Sequence, residues 1–201
     1  MATVRDVTPA PRSARALAKA ERRDELIRTA TRLFAERGFS GVGIEDLGAA
    51  AGISGPAVYR HFATKQALLG AILREASEQL HEDGAEVAAS TPDPAKRLDA
   101  LIAFHIDFAV RSPDVIRVQD RDLAALSDED RAAVRRLQRA YVELWVAALR
   151  AEDPARAVAE ARLRAHAAFG LMNSTPHAGA GATDAAARAV LTAMARAALR
   201  A

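Results

Sequence analysis

Residues 38–69 read GFSGVGIEDLGAAAGISGPAVYRHFATKQALL, a stretch whose spacing predicts a short helix, a tight turn, a second short helix and the start of a longer one. Ahead of it, Leu26, Ile27, Ala30, Leu33 and Phe34 recur at three- and four-residue intervals, the period of a helix face, and Gly38 is placed to stop that run. Ile44, Leu47 and Ala51 mark one face of a helix opened by Gly43. Gly52 suits the turn because glycine takes a positive φ without steric cost. Ser54 is a natural N-cap, and Pro56 falls in the first helical turn, where its missing N–H does no harm. This helix is expected to run to about His61. Val58 and Phe62 point inward at i, i+4, leaving Gly55, Ala57, Tyr59, Arg60 and His61 for the outer face. Thr64 is expected to cap a longer helix with Leu68, Ile72, Ala76 and Leu80 along its buried stripe. Lys65 at its N-terminal end opposes the helix dipole unless an anion lies close, and a DNA phosphate would be such an anion.

Two short helices joined by a glycine turn suit a helix-turn-helix, which sets one helix in a DNA groove. The run Gly38-Phe39, Ile44-x-x-Leu47, Ala51-Gly52-Ile53-Ser54, Val58-Tyr59-x-His61-Phe62-x-x-Lys65-x-x-Leu68-Leu69 resembles the DNA-binding domain of TetR-family transcriptional regulators. The resemblance covers about a quarter of the chain and is specific through Tyr-x-His-Phe-x-x-Lys. It implies an all-α protein, with an N-terminal three-helix helix-turn-helix DNA-binding domain and a larger C-terminal ligand-binding and dimerisation domain. It also implies a homodimeric repressor that leaves a double-stranded DNA operator when a small molecule binds. Tyr59, His61 and Lys65 then correspond to phosphate contacts, and Gly55, Pro56, Ala57 and Arg60 to residues facing the major groove. Gly43 and Ser54, at the openings of the two short helices, complete the expected DNA-binding set. The family often carries Thr where Gly43 stands, so a phosphate contact is missing there, and Gly48 replaces the usual Ala. Gly55 and Ala57 have no group to bond a base edge, whereas the Arg60 guanidinium fits the O6/N7 edge of guanine.

The expected domains are a flexible basic arm (1–20), the DNA-binding domain (21–66) and the ligand-binding and dimerisation domain (67–201), with a helix from about 65 to 82 joining the last two. At 201 residues the chain is long enough for a substantial core. It has no cysteine, which excludes disulfides and thiolate metal sites and suits a reducing cytoplasm, the expected location. No apolar run reaches ~18 residues, so no membrane helix is expected. The net charge of +2 is uneven: residues 1–81 hold 12 Lys/Arg against 9 Asp/Glu, and residues 82–201 hold 16 against 17. Most of the excess lies in residues 1–23, where Arg5, Arg12, Arg15, Lys19, Arg22 and Arg23 face only Asp6 and Glu21. Such an arm either adds phosphate contacts or is a solvated leader, and the sequence leaves both open.

Pro92 and Pro94 break the chain near 90–94, the expected end of the fourth helix. The helical period then continues from about Pro94 to Arg111, from Pro113 to about Ala125, and through Val134, Leu137, Tyr141, Leu144, Trp145 and Ala148, opened by Ser127 with Asp130 three residues on. Asp153-Pro154 is expected to start another helix that ends near Asn173 to Pro176. Thr183 is expected to start a last helix burying Val190, Leu191, Met194 and Ala198. Small residues on the last two long helices, including Ala161, Ala165, Ala168, Gly170, Ala187, Ala195 and Ala198, suit the close approach of a dimer bundle or are simply good helix formers.

Under the resemblance an effector pocket is expected among the middle helices. Phe104, Phe108, Tyr141, Trp145, Phe169 and Met172 would supply apolar surface there, and His105, Arg117, Gln119, Arg121 and Asn173 polar orienting groups. Singly, each aromatic is ordinary core and each arginine a solvated face. As a group they suit a small apolar effector, one form of which carries an anionic end such as an acyl thioester. An apolar cation stays open, since Asp107, Asp120 and Glu143 lie in the same region.

An enzyme is not expected: the five histidines show no i, i+4 pair for a helical zinc site, and there is no phosphate loop or dinucleotide fingerprint. No cofactor or metal is called for. The remaining alternative is a helical small-molecule-binding module whose DNA motif is vestigial.

Overall fold

The computed structural model describes residues 14–177 and 183–201, and among them every regular element is helical. Helix α1 spans Ala14–Arg37 and buries Leu26, Thr29, Ala30, Leu33, Phe34 and Ala35 on one face. It stops at Gly38, whose φ of 81° turns the chain while its N–H still donates to Phe34 O at 2.8 Å, a left-handed helix ending. Residues 14–20, expected in a free arm, belong to this helix; the rest of the expected arm, residues 1–13, lies outside the described residues.

Helix α2 (Ile44–Ala50) begins after Gly43, whose N–H is held by the Asp46 carboxylate at 2.8 Å. Gly52 supplies the turn with a φ of 67°. Helix α3 spans only Gly55–Val58, shorter than expected. Beyond Val58 the chain tightens into three-residue turns, with Arg60 N–H donating to Ala57 O and His61 N–H to Val58 O. Helix α4 (Lys65–Ser90) is capped by Thr64, whose hydroxyl accepts from Ala67 N–H at 2.9 Å. It runs well beyond 82, to the expected break before Pro92.

Helices α5 (Pro94–Arg111) and α6 (Pro113–Asp122) each open with a proline, and a 3₁₀ turn at Leu123–Ala125 completes the segment. Helix α7 (Asp128–Glu152) is capped by Ser127. Asp153-Pro154 does not start the next helix. Asp153 ends α7 and holds a turn through Ala155 N–H, so that α8 (Val158–Met172) begins four residues after Pro154. Helix α9 (Asp184–Arg200) is capped by Thr183 as expected.

Two cores form. The first joins α1 to α4 but recruits Val118 from α6, Leu126 just after the 3₁₀ turn and Val134 from α7. The second joins α5, α7, α8 and α9 around Trp145, Leu101 and Met172. Helices α4 and α7 belong to both cores, α4 adding Leu80, Val87 and Ala88 to the second, and no packing boundary falls at residue 66. Of the two apolar stripes on α9, Leu191, Ala195 and Leu199 are buried, whereas Val190 and Met194 are half exposed and Ala198 is exposed. The small residues Ala161, Ala165, Ala168 and Ala195 are likewise fully buried within the chain, so they serve contacts among its own helices, with Gly170 left exposed.

Candidate nucleic-acid interface and ligand cavity

At one end of the molecule Ser54, Pro56, Tyr59 and Arg60 are exposed around α3, with Gly43 nearby at the start of α2. Tyr59 is 52% exposed, a high value for a large aromatic with no bound partner. Gly55 and Ala57, expected on the outer face, are buried. The cause is the close approach of α2 and α3. A Cβ at Gly48 would stand 2.7 Å from Gly55 N, and the Glu45 carboxylate fills the space a side chain at 55 would need. The missing methyl at Gly48 is what sets the two helices this close.

Lys65 also differs from expectation. Its ammonium donates to Phe39 O at 2.8 Å and Val42 O at 2.7 Å, and lies 4.3 Å from the centroid of the Phe39 ring. Two of its three donors therefore fasten the 39–42 loop, whose carbonyls have no helical partners, before any phosphate is considered. His61 is half-buried, and its Nδ1 is shielded from solvent without a hydrogen-bond partner. Burial pushes its pKa below the ordinary value, and the cations of Lys19, Arg60, Arg22 and Arg23 push the same way. That cationic corner, drawn partly from α1, is the surface that would meet an anionic backbone. Lys19, Arg22 and Arg23 showed in the sequence as basic excess, but only the fold of α1 brings them to His61.

The second site is a cavity of about 220 Å³ between the two ends of the molecule. His105, Gln119, Tyr141, Phe169 and Asn173 line it as expected, joined by Ser77, Leu80, Gln138, Val142 and His166. Those five additions come from α4, α7 and α8, with His166 at the exposed rim, and in the sequence they are ordinary helix positions with no chemical signature. At the floor, His105 Nε2 lies 3.0 Å from Asn173 Oδ1, and Nδ1 lies 3.2 Å from the Tyr141 hydroxyl. An amide oxygen can only accept, so Nε2–H donates to it and Nδ1 accepts the Tyr141 proton. The imidazole is thus neutral. Burial lowers its pKa to about 4, against a smaller opposing effect of the Asn173 bond. Burial raises that of Tyr141.

Four other expected lining residues are elsewhere, and Trp145 stands behind the cavity wall. Arg117 donates to Pro176 O at 2.9 Å and pairs with Asp114. Arg121 reaches the other way, donating to Phe34 O and Ala35 O at the end of α1 and to Asp122. Phe104 and Phe108 line a separate recess of about 290 Å³ with Asp107 and Arg111. Trp145 is fully buried, 5.0 Å from the Phe169 ring centroid. Met172 is fully buried core as well.

Helix α6 touches both sites. Gln119 lines the cavity, and one turn further on the buried Asp122 carboxylate accepts the Phe39 N–H at 3.2 Å, in the loop that Lys65 fastens. No group of three or more potential metal ligands occurs among the described residues. No helix among them is long and apolar enough to cross a membrane.

Comparison with known proteins matches a family described as "Bacterial regulatory proteins, tetR family" over residues 26–72. A second, "Tetracyclin repressor-like, C-terminal domain", matches over residues 91–177. The HTH-type transcriptional repressor KstR2 of Rhodococcus jostii is 31% identical over 134 residues, 66% of either chain. The HTH-type transcriptional activator FasR of Mycolicibacterium smegmatis is 32% identical over 92 residues, 46% of this chain and 42% of its own. The chain thus spans 42 to 66% of the length of these relatives. Among solved structures, a TetR-family regulator from Bordetella parapertussis superposes with a TM-score of 0.80 at 24% identity, covering 89% of this chain and 94% of that one. AibR in complex with isovaleryl coenzyme A and operator DNA superposes at 0.74 with 21% identity, covering 86% and 97%. At these identities the structures attest the fold.

Proposed function

Because this chain belongs to the tetR family of bacterial regulatory proteins, we propose that it is a sequence-specific DNA-binding transcriptional regulator, a repressor released from its operator by a small, largely apolar effector. The observation that carries this reading is the pairing of an exposed Pro56–Tyr59–Arg60 surface with a cavity through one helix, α6. Arg60 reads a guanine edge, Tyr59 contacts phosphate, and the surrounding cations draw the duplex in. The effector occupies the cavity beside Gln119. Only a ligand that binds the released arrangement more tightly than the DNA-bound one can shift the balance. The short run from Gln119 to Asp122 is where such a difference would be passed to the 39–42 loop.

The protein acts as a homodimer. Leu163 on α8 is 70% exposed, and Val190 and Met194 on α9 are 56% and 50% exposed, apolar surface that a second copy would cover. Two recognition helices related by a two-fold axis read twice the sequence of one. An internal reducing compartment, the cytoplasm, is where such a regulator would meet DNA.

The test is binding to the duplex upstream of the protein's own gene, against a shuffled duplex, at two salt concentrations. Preference for the native duplex by about three decades, falling steeply with salt, supports the reading. Equal weak binding to every duplex, including a library selected from random sequence, would favour a ligand-binding module with a vestigial motif. The burial of Gly55 and Ala57 and the internal bonds of Lys65 are what speak for that second reading.

A further inference from the structure

We propose that the 220 Å³ cavity selects a small, uncharged molecule carrying a group that both donates and accepts hydrogen bonds, of the amide or lactam type, and rejects carboxylates, ammonium ions and acyl groups on charged carriers. The inference rests on the effector reading of this cavity and adds the chemistry of what fills it.

The lining contains no Asp, Glu, Lys or Arg. Of the charged residues on the neighbouring helices, Asp120 is exposed and outside the lining, and four others are engaged elsewhere. Arg117 and Arg121 bond as described above. Glu143 accepts from Arg162 at 2.7 and 3.0 Å. Asp107 pairs with Arg111 and Arg188. An ionic ligand would therefore give up hydration with no counter-charge among the lining residues to meet it.

His105 cannot act as a hidden counter-charge. It is 3% exposed, and both ring nitrogens are engaged, by Tyr141 and by Asn173. Protonating it would force Nδ1 to donate toward the Tyr141 oxygen and turn the hydroxyl proton away. His166, on α8 at the exposed rim, is the second histidine on the lining, and no carboxylate lines the cavity beside it.

What the cavity does offer is amide chemistry. The side-chain amides of Gln119 and Gln138, and the Asn173 Nδ2, line it with no hydrogen-bond partner among the described residues. The Tyr141 oxygen, having donated to His105, keeps a lone pair. Amide donors and acceptors that have no partner within the protein are matched best by a ligand with both functions. Each neutral hydrogen bond adds modestly, and each one left unmade costs more than it adds. Leu80, Val142 and Phe169 supply the apolar walls for the rest of the molecule. The volume lies below the ~300–1,000 Å³ usual for drug-sized ligands, which restricts the occupant to a small ring or short chain.

Benzamide, benzoate and benzylammonium share one ring and differ in charge, and they are the probes. Trp145, the sole tryptophan, is buried beside Phe169 and Tyr141 and reports occupancy without DNA. Full-length protein is titrated with each probe, and with butyryl-coenzyme A, while its emission and melting temperature are followed. The proposal expects a saturable change with benzamide, binding at least about tenfold weaker, or about 1.4 kcal/mol, for the three charged probes, and a comparable loss of benzamide binding in Gln119→Leu. Gln138→Leu, on a different helix, is the second variant should the first not melt like the native protein. The proposal is overturned by equal or tighter binding of any charged probe. It is also overturned by unchanged benzamide binding in folded variants, or by no saturable response to any probe. Operator binding measured in parallel separates the two readings: benzamide binding without DNA binding removes the regulator and keeps the cavity chemistry, and the reverse removes only the latter.

Discussion

Gly84 on α4 leaves room for the ring of Tyr141 on α7: a Cβ at position 84 would stand 2.6 Å from Tyr141 Cε2. Through that ring the glycine supports the cavity floor, since Tyr141 bonds His105 and stacks at 5.5 Å on Phe169.

Gly84→Ala is therefore expected to destabilise the fold despite improving helix propensity. Overpacking a core costs about 1–3 kcal/mol, against about 1 kcal/mol that alanine gains over glycine in a helix interior. A lowered urea midpoint with an unchanged slope, together with a shifted Trp145 emission, is the expected result. An unchanged midpoint would mean that Tyr141 has room to retreat.

His105 makes stability depend on pH. Its folded-state pKa of about 4 lies below the ordinary 6.5, so the unfolded chain binds the proton more readily. The stability this confers is present above about pH 6.5 and is lost progressively as pH falls towards 4. The bound on that loss is about 3 kcal/mol, from ~1.4 kcal/mol per pH unit. Urea titrations at pH 7.5 and pH 5, compared between the native protein and His105→Gln, isolate the effect because the surface carboxylates are common to both. The native protein should lose more stability on acidification than the variant, and equal losses would show that His105 is protonated in the folded state.

Lys65→Ala should act first on folding. It leaves Phe39 O and Val42 O without their donor, a loss of about 1–3 kcal/mol for hydrogen bonds from a charged group, and removes the cation over the Phe39 ring. Chemical denaturation should register that loss in the absence of DNA. A variant as stable as the native protein but weakened equally on all duplexes, with a salt slope lower by about 1, would return Lys65 to a pure phosphate contact.

Arg60→Ala should relax the preference at one base position per half-site by about 1–3 kcal/mol, with little effect on stability, because Arg60 is exposed. Selection from a random duplex library gives the direct reading. Recovery of the native motif by the variant would remove Arg60 from base recognition.

Most helices and their stops were legible residue by residue, although α3 ends at Val58 rather than near His61 and Ser54 makes no side-chain cap bond. Gly38 and Gly52 take the positive φ their positions demand, and Thr64, Ser127 and Thr183 cap the helices they precede. Capping and turn chemistry are local, decided by a few neighbouring residues. Asp153-Pro154 failed by the same local rule, because a carboxylate that can cap a helix can equally hold the turn that ends one.

The sites divide in the same way. The sequence alone determined that the chain is helical and where its helix-turn-helix lies; that Tyr59 and Arg60 stay exposed while Lys65 turns inward was decided by the packing. The sequence could not decide between the two apolar stripes of α9, since Leu191 and Val190 differ only in which neighbouring helix arrives. Nor could it show that Lys65 meets the carbonyls of residues 39 and 42, that Arg121 reaches back to α1, or that Gln119, Gln138 and Asn173 face one space. Those are contacts between residues separated by 23 to 87 positions or by a helix crossing. Side-chain periodicity fixes which way a residue faces along its own helix, while what it faces depends on how the helices pack.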